Sequence, residues 1–279
     1  MFSCLSTKVK FRDKYMPKTW YDTFVCLFII IIIPTVFWFE IFVVLNQFYD
    51  ETSVWRYIHF YAGLFILINI CTNYFATITI DTSVKGLILK PQDMWKLCSV
   101  CETLVPPRSY HCNICNICIL RRDHHCVFSG CCIGLNNYRY FFYFMFYMFI
   151  ATVYSSYFNI FFIYSTMNFN SWFSYINIVF PLAMLLINFD MHQLYLFLTL
   201  IVFVGMIFTG VLLYFHTNLL LKGQVTYESK HNINKYNLGK IENIKQIFGM
   251  HWKDTWISPF VISPLPTDGQ LFPVRIKDM

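Results

Sequence analysis

The chain alternates long apolar stretches with short polar ones. Four stretches are nearly free of charge: Phe24–Leu45, with Glu40 as its one charged residue, and Ile58–Ile80, Tyr140–Thr166 and Leu194–Phe215, with none. Each is close to the roughly 20 residues that a helix needs to cross the hydrocarbon core. Four such runs in 279 residues favour membrane spans over the buried helices of a large soluble protein. The pattern predicts an all-α polytopic membrane protein with four transmembrane helices.

Composition agrees with this pattern. The chain is 57% hydrophobic and 13% charged, whereas a soluble domain usually carries about a quarter charged residues. Glu40 lies near the far end of the first run, where a charge must either face the helix bundle or reach the interface. We expect it to reach the interface.

The basic residues predict the orientation. Of 21 Lys and Arg residues, five precede the first run, seven lie between the second and third, and eight follow the fourth. Only Arg56 lies in a loop on the other side, so the positive-inside rule places both termini and the loop Asp81–Arg139 in the cytosol. Phe173–Ile187 is apolar but only about 15 residues long. A fifth span there would place the basic C-terminal tail on the opposite side of the membrane. We interpret it as a lumenal interfacial or re-entrant segment.

The loop between the second and third runs is rich in potential metal ligands. Eight of the eleven cysteines lie within Cys98–Cys132, together with His111, His124 and His125. A disulfide scaffold is the alternative, but in the reducing cytosol such patterns favour metal. Repeated Cys-x2-Cys pairs with nearby histidines are typical of zinc sites, because a tight turn aims two thiolates at one tetrahedral centre. The spacing therefore predicts zinc.

The number of ligands indicates further chemistry. Two tetrahedral sites need eight ligands, and the segment supplies eleven candidates, so a cysteine is left over. Cys126 directly follows Asp123, His124 and His125, which can supply an orienting acid, a base and a ligand. A thiolate beside an imidazole has a lowered pKa and is a competent nucleophile. The spacing alone leaves open which histidine is the base and which is the ligand.

These residues resemble the DHHC protein S-acyltransferases. The quartet Asp123-His124-His125-Cys126 lies in a cysteine-rich loop between the second and third of four spans, as in that family. The similarity is close over Cys98–Phe142 and includes the following motifs: Pro106-Pro107-Arg108, His111-Cys112, Gly134 and Asn137-Tyr138-Arg139.

The resemblance implies two interleaved structural zinc sites of three cysteines and one histidine each. The first would consist of Cys98, Cys101, His111 and Cys118, and the second of Cys112, Cys115, His125 and Cys132. By the same resemblance, Cys126 takes the acyl group from acyl-CoA, His124 acts as the base, and Asp123 orients His124.

The resemblance extends more loosely into the tail. Val225-Thr226-Tyr227-Glu228 is similar to the family's Thr-Thr-x-Glu motif, and Asn234–Gly249 to its later C-terminal motif. Thr226 would then lie against the catalytic Asp, and Asn243 would brace the tail on the membrane domain. A helix cap or an ordinary turn is the alternative for each. Arg121 and Arg122, directly before Asp123, are candidates for binding the CoA phosphates, or else form a solvated or lipid-facing pair.

Besides Val225, which replaces the first threonine of the tail motif, three departures from the family pattern are visible. Val127-Phe128 replaces the usual Pro-Trp, Cys131 replaces the usual Asn, and Asp81-Thr82-Ser83 stands where Asp-Pro-Gly is usual. None of them removes a nucleophile, a base or a ligand.

Together these observations predict five segments and one activity. The segments are a cytosolic N-terminus (1–23), transmembrane helices 1 and 2 (24–80), a cytosolic zinc domain (81–139), helices 3 and 4 with the lumenal segment (140–216) and a cytosolic tail (217–279). The activity is transfer of a long-chain acyl group such as palmitoyl from acyl-CoA, through Cys126, to cysteines of membrane-associated proteins. Its partners are acyl-CoA, those proteins and the bilayer, with no nucleic acid, in the endomembrane system (Golgi or ER) or the plasma membrane.

Two other functions are considered. A catalytically silent zinc-bearing adaptor has no need for Cys126, and the intact quartet argues against it. A transporter would carry polar residues across several spans, and spans two to four contain no charge.

Overall fold

The computed structural model describes residues 16–85, 92, 95–167 and 171–274. In this part of the chain, four helices of 28, 26, 29 and 32 residues are long and apolar enough to cross a membrane. The first is α1 (Trp20–Phe39), which continues as a π-turn over Glu40–Val44 and a 3-10 turn over Leu45–Gln47. The others are α2 (Val54–Thr79), α3 (Tyr138–Thr166) and α6 (Met191–Lys222). The predicted four-span helical fold is confirmed. Most of the predicted N-terminal segment lies outside the described residues.

The segment between the third and fourth spans forms two short helices. They are α4 (Trp172–Val179) and α5 (Pro181–Ile187), of 8 and 7 residues. Pro181 occupies the first turn of α5, where the missing N–H of proline costs nothing, and it interrupts the run between the two helices. Neither helix reaches the length of a span. The side of the membrane on which they lie stays a prediction.

The cysteine-rich region between α2 and α3 adds local β-structure that the sequence analysis did not predict. Its described residues form three antiparallel two-stranded hairpins. Their strands are β1 (Lys96–Cys98) with β2 (Thr103–Val105), β3 (Tyr110–Cys112) with β4 (Ile117–Ile119), and β5 (His124–Cys126) with β6 (Cys131–Ile133). Two-stranded hairpins are marginal by themselves, so other interactions must hold them in place.

Two short helices follow the last span. They are α7 (Thr226–Lys230) and α8 (Lys240–Phe248). Asn243, Ile247 and Phe248 of α8 are buried, whereas Lys240 and Ile241 are exposed, so α8 packs by one face.

The chain divides into two compact units. The first comprises Met1–Ile29, Tyr74–Phe141 and Leu219–Met279, and the second comprises Ile30–Asn73 and Phe142–Asn218. The first unit therefore contains the hairpins, the tail and one end of each of the four spans.

The first unit has an apolar core between the hairpins and the tail. Its buried members are Val84, Val105, Cys118, Leu120 and Leu135, and Leu265 and Phe272 of the tail pack against them. A cysteine of the first ligand set is thus part of this core, so metal binding and apolar packing support the same strands.

The second unit has an aromatic core. Phe39, Val44, Phe158, Phe162 and Leu198 are buried together and come from three different spans. Phe39 meets the ring of Phe162 edge-on at 5.7 Å.

Glu40 belongs to this second unit, and the expectation that it reaches the interface is wrong. Its Oε1 accepts a hydrogen bond of 2.7 Å from Asn159 Nδ2 on α3. Asn159 Oδ1 in turn accepts a bond of 3.4 Å from Thr199 on α6. The carboxyl group therefore faces the bundle, where polar partners offset the cost of placing it inside the membrane.

Candidate active site and metal centres

The first ligand set combines the β1–β2 turn with the second hairpin. The donor atoms of Cys98, Cys101, His111 and Cys118 all lie within 4.8 Å of one another. His111 and Cys118 are directly opposite each other in the β3–β4 register. The backbone N–H of Cys101 points at Cys98 Sγ at 3.5 Å, which is how a Cys-x2-Cys turn aims two thiolates at one point.

The second ligand set repeats this arrangement one hairpin further on. Cys112, Cys115, His125 and Cys132 also bring their donor atoms within 4.8 Å of one another. His125 and Cys132 are directly opposite in the β5–β6 register, and Cys115 N–H points at Cys112 Sγ at 3.5 Å. Because His111 and Cys112 are adjacent on β3, they face opposite sides and serve different sets. This alternation interleaves the two clusters.

Both donor sets fit zinc. Three thiols and one imidazole form a closed tetrahedral shell that is typical of structural zinc. The prediction of two Cys/His clusters that can hold metal ions is confirmed.

The second cluster has a buried outer partner that the sequence analysis missed. Asp22 is 1% exposed, and its Oδ2 lies 3.3 Å from His125 Nε2. A ligating histidine commonly donates its second nitrogen to a carboxylate, which fixes the orientation of the ring. Asp22 lies 103 positions before His125, and an acid in the first turn of a span was the only sequence signal available.

The strand β5 places its two histidines on opposite faces. Side chains alternate between the two faces of a strand, so His124 and Cys126 share one face while His125 points to the other. His125 lies in the second Cys/His cluster, and His124 lies on the face of the Cys126 thiol. This placement agrees with the roles that the resemblance implies, which stay a prediction.

Asp123 and Thr226 fix the position of His124. His124 Nδ1 lies 2.7 Å from Asp123 Oδ2. Asp123 is 5% exposed and accepts two further bonds, from Thr226 N to Oδ1 at 2.9 Å and from Thr226 Oγ1 to Oδ2 at 3.0 Å. The ring of Phe141 packs edge-on against the imidazole at 5.2 Å. Thr226 thus lies where the resemblance placed it, against the acid.

Burial and charge set the protonation of the pair. Burial lowers the pKa of His124, but hydrogen bonding and charge from Asp123 and Cys126 raise it to about 9. Burial alone would raise the pKa of the Cys126 thiol. The effect of His124 is opposite and larger, so the pKa lies below the ordinary value of a cysteine. The pair is therefore biased toward a thiolate and an imidazolium, the form in which cysteine is nucleophilic.

Cys131, the other leftover cysteine on this hairpin, differs from Cys126. It lies directly opposite Cys126 in the register, and its thiol contacts Ser129 Oγ at 3.3 Å and Thr77 O at 3.6 Å. Burial raises its pKa to about 12. The Cys131 thiol thus contacts a carbonyl and a hydroxyl and is biased toward its neutral form.

The segment after Cys126, where Val127-Phe128 departs from the family pattern, is held by the first two spans. Phe128 O accepts a bond of 2.8 Å from Tyr74 OH and one of 3.5 Å from Cys26 Sγ. Gly130 has φ +62°, and a Cβ there would lie 2.8 Å from Pro17. Cys26 and Tyr74 were not singled out from the sequence. They precede Phe128 by 102 and 54 residues, and no short-range sequence pattern indicates contacts over such distances.

The two arginines before Asp123 occupy different environments. Arg121 is 2% exposed, its guanidinium lies 5.5 Å from the ring of Tyr138, and burial lowers its pKa to about 10. Arg122 is half-buried. Burial lowers its pKa, but hydrogen bonds and charge from Cys132 and Cys112 raise it more. Arg122 thus neighbours the second thiolate cluster, and the role of both arginines in CoA binding stays a prediction.

The tail is fastened to this site by buried polar contacts. Asn243 Nδ2 donates to Leu221 O at the end of α6 at 2.9 Å, and its Oδ1 accepts from Leu238 N at 3.0 Å. Glu228, two residues after Thr226, forms a buried ion pair with Arg108 at 2.7 Å. The sequence had marked Arg108 and Glu228 only as motif residues.

This geometry defines a membrane protein with two Cys₃His clusters that can hold metal and a Cys-His-Asp group in which the cysteine and the acid are buried and the histidine is partly exposed. Residues 91–233 match the family model described as DHHC palmitoyltransferase. The chain is 35% identical over 231 residues to the probable palmitoyltransferase ZDHHC24 of Danio rerio, across 81% of this chain and 78% of that protein. It is 33% identical to the proteins of that name from Mus musculus, across 74% and 75%, and Homo sapiens, across 75% of each. The chain belongs to the DHHC palmitoyltransferase family, and the predicted class of enzyme, a protein palmitoyltransferase, is confirmed.

Proposed function

We propose that the protein transfers a long-chain acyl group from acyl-CoA to cysteines of membrane-associated proteins through a thioester on Cys126. The observation that carries this proposal is the chain of contacts from Thr226 through Asp123 to His124, with Cys126 on the same strand face. An oriented imidazole beside a thiol is the arrangement of an activated nucleophile.

The first half-reaction uses the charged pair. The Cys126 thiolate attacks the thioester carbonyl of acyl-CoA, a new S–C bond forms, and the bond to the CoA sulfur breaks. The leaving CoA thiolate takes the proton from the His124 imidazolium. Asp123 holds the ring in one orientation and stabilises its charge throughout.

The second half-reaction reverses the roles. A substrate cysteine gives its proton to the now neutral His124 and attacks the Cys126 thioester. The acyl group moves to the substrate, and Cys126 leaves as a thiolate. One thioester is exchanged for another, so the two half-reactions form a ping-pong cycle. The acyl chain then holds the product at the bilayer, at about 0.8 kcal/mol per buried methylene.

Two structural zinc ions complete the proposal. One would be held by Cys98, Cys101, His111 and Cys118, the other by Cys112, Cys115, His125 and Cys132. They would fold the hairpins and fix β5, with no role in the bond changes.

We also propose a binding site for the acyl-CoA head group and an orientation of the chain in the membrane. Of the two arginines, the half-buried Arg122 is better placed for a CoA phosphate than the buried Arg121. The distribution of basic residues supports cytosolic termini. The membrane would be an endomembrane or the plasma membrane. Epitopes at both termini should be reached from the cytosol, and one inserted at residues 167–170, of which 168–170 lie outside the described residues, should be reached from the lumen.

Labelled acyl-CoA tests the nucleophile. The unmodified protein should form a hydroxylamine-sensitive thioester, and Cys126→Ser should form none while keeping its two zinc ions. Cys131→Ser is the matched control on the opposite strand and should load normally. His124→Ala should slow loading by about 10²–10⁴-fold. If the label persists in Cys126→Ser and disappears in Cys131→Ser, the nucleophile is misassigned. If no variant loads at all, the thioester mechanism is wrong.

A further inference from the structure

A closed loop follows α8, outside the residues that match the family model. Residues 249–263, the tail loop, leave and return to the same point. Ser263 Oγ donates to Phe248 O at 2.7 Å and accepts from His251 N at 2.9 Å, and Met250 N donates to Pro264 O at 3.0 Å. Gly249, with φ +82°, makes the close approach possible, because a Cβ there would lie 2.3 Å from Ser263 Oγ. The loop is a compact Ω-loop with joined ends.

Both ends of the tail loop are tied to the ends of spans. Before the loop, Asn243 Nδ2 bonds to Leu221 O in the last turn of α6 at 2.9 Å. At its end, Ser263 O accepts a buried bond of 3.4 Å from Arg139 Nη1 in the first turn of α3. Because α3 and α6 are successive spans that cross in opposite directions, these two turns lie on the same side of the bilayer. The loop is therefore anchored at the level where the helices leave the hydrocarbon.

The tail loop exposes several large apolar side chains beside three polar ones, His251, Lys253 and Asp254. Phe260 and Ile262 are 80% and 85% exposed, and Met250, Trp256 and Ile257 are each about half exposed. Single exposed apolar residues are ordinary, but five within thirteen positions indicate a contact surface.

Internal bonds keep these side chains outside. Thr255 is 2% exposed and donates to Trp252 O at 3.0 Å, and the Asp254 and Ile257 amides close two successive turns. The loop thus has a fixed shape with its apolar residues displayed, and it cannot bury them by local collapse.

The composition selects a lipid surface as the partner. Trp, Phe and Ile beside a lysine are the residues that settle at a membrane interface, where an apolar body lies in lipid and a polar end stays wet. The loop has one lysine, Lys253, and one acid, Asp254, so its formal charge is balanced. Attraction to anionic lipid is therefore not what holds it. We propose that the tail loop inserts its apolar side chains into the headgroup–acyl boundary of the leaflet where α6 ends, and that zwitterionic phospholipid is sufficient.

Fluorescence of Trp256 tests this in the full chain. The protein is reconstituted into phosphatidylcholine vesicles with and without brominated acyl chains, and the Trp256 signal is taken as the difference between the unmodified protein and Trp256→Phe. We expect brominated chains to quench Trp256 and aqueous iodide to leave it largely unquenched. Quenching by iodide without quenching by brominated chains would overturn the proposal, and so would quenching that requires anionic lipid. Shielding from both quenchers would indicate a protein partner or a second copy of the chain and would overturn it equally.

Matched variants extend the test. Phe260→Asp with Ile262→Asp places two charges on side chains that are already exposed, so the fold and the metal content should be retained while Trp256 becomes accessible to iodide. Leu271→Asp makes the same chemical change at a 56% exposed tail position outside the loop and should leave the quenching unchanged. If the double variant keeps the lipid quenching of the unmodified protein, the loop does not insert through these residues.

Discussion

The ion pair between Arg108 and Glu228 should be one of the most costly contacts in the tail to break. Arg108 Nε and Nη2 donate to the two carboxylate oxygens of Glu228 at 2.8 and 2.7 Å, and the side chains are 5% and 3% exposed. Glu228 Oε2 also accepts from Val225 N at 2.9 Å, and Arg108 Nη2 donates to Gly223 O at 2.8 Å. Removing one partner leaves the other charge buried, which costs about 3–5 kcal/mol.

The two single variants should differ in a defined direction. Arg108 lies 4.3 Å from the centre of the Tyr236 ring and 5.1 Å from that of Phe272. Arg108→Ala therefore loses cation–π stabilisation of roughly 0.5–2 kcal/mol in addition to the ion pair, whereas Glu228→Gln loses the pair alone. Arg108→Met combined with Glu228→Leu leaves no unpaired charge and should cost less than the sum of the single replacements.

The measurement is thermal unfolding of the purified protein, together with thioester loading. A loss of 3–5 kcal/mol corresponds to a fall in Tm on the order of 10 °C. Loading should fall as well, because Glu228 holds the short helix that presents Thr226 to Asp123. Lys245→Ala is the control in the same tail. It removes an exposed ion pair with Glu242 that is worth less than about 1 kcal/mol. If Glu228→Gln lowers the Tm no more than this control does, the reasoning about burial is refuted.

Three other replacements test separate parts of the molecule. Thr226→Val removes one hydrogen bond to the Asp123 carboxylate and should slow thioester loading about tenfold, whereas Thr226→Ser should load at close to the normal rate. Equal loading in the unmodified protein and both variants would contradict a positioning role for Thr226. Cys132→Ser should lower the bound zinc by about one ion per chain and the yield of folded protein, as metal analysis will show; unchanged metal would remove Cys132 from the ligand set. Glu40→Ala should destabilise the protein by about 1–3 kcal/mol in thermal unfolding, because Asn159 loses its hydrogen-bond acceptor. Glu40→Gln keeps an acceptor oxygen and should destabilise the protein less. Identical stability of the two variants would show that the contact contributes nothing.

The spans could be predicted from sequence because lipid leaves the backbone few choices. A run of about twenty apolar residues must form a helix to satisfy its own N–H and C=O groups, and all four runs did so. The direction that the first span faces was not predicted. Apart from Glu40 this span is apolar on nearly every side, so no stripe marks its inner face, and Glu40 was assigned to the interface although it points at Asn159.

In the cysteine-rich region, the members of each cluster could be given by resemblance and their partners could not. The ligand sets repeat a spacing pattern that is local in sequence. Asp22, Tyr74 and Glu228 reach the region from 54 to 120 residues away, and no short-range pattern encodes such a contact. The hairpins were missed because each strand has only three residues, and metal ligands occupy positions where alternating apolar residues would otherwise mark a strand.

The alternation along β5 makes strand register a condition of reactivity. A slip of β5 by one residue against β6 would turn His125 away from the second cluster and bring His124 and Cys126 toward it, while Cys132 would keep its place. Under the proposed mechanism, the base and the nucleophile would then lie on the side of the metal ligands, and the histidine ligand would lie on the opposite face. Insertion or deletion of one residue between Cys126 and Cys131 is therefore expected to be more severe than most substitutions there, because a slip reverses the face of every side chain on one strand at once. A metal ion bound by both His125 and Cys132 would oppose that slip, because the two ligands lie on different strands.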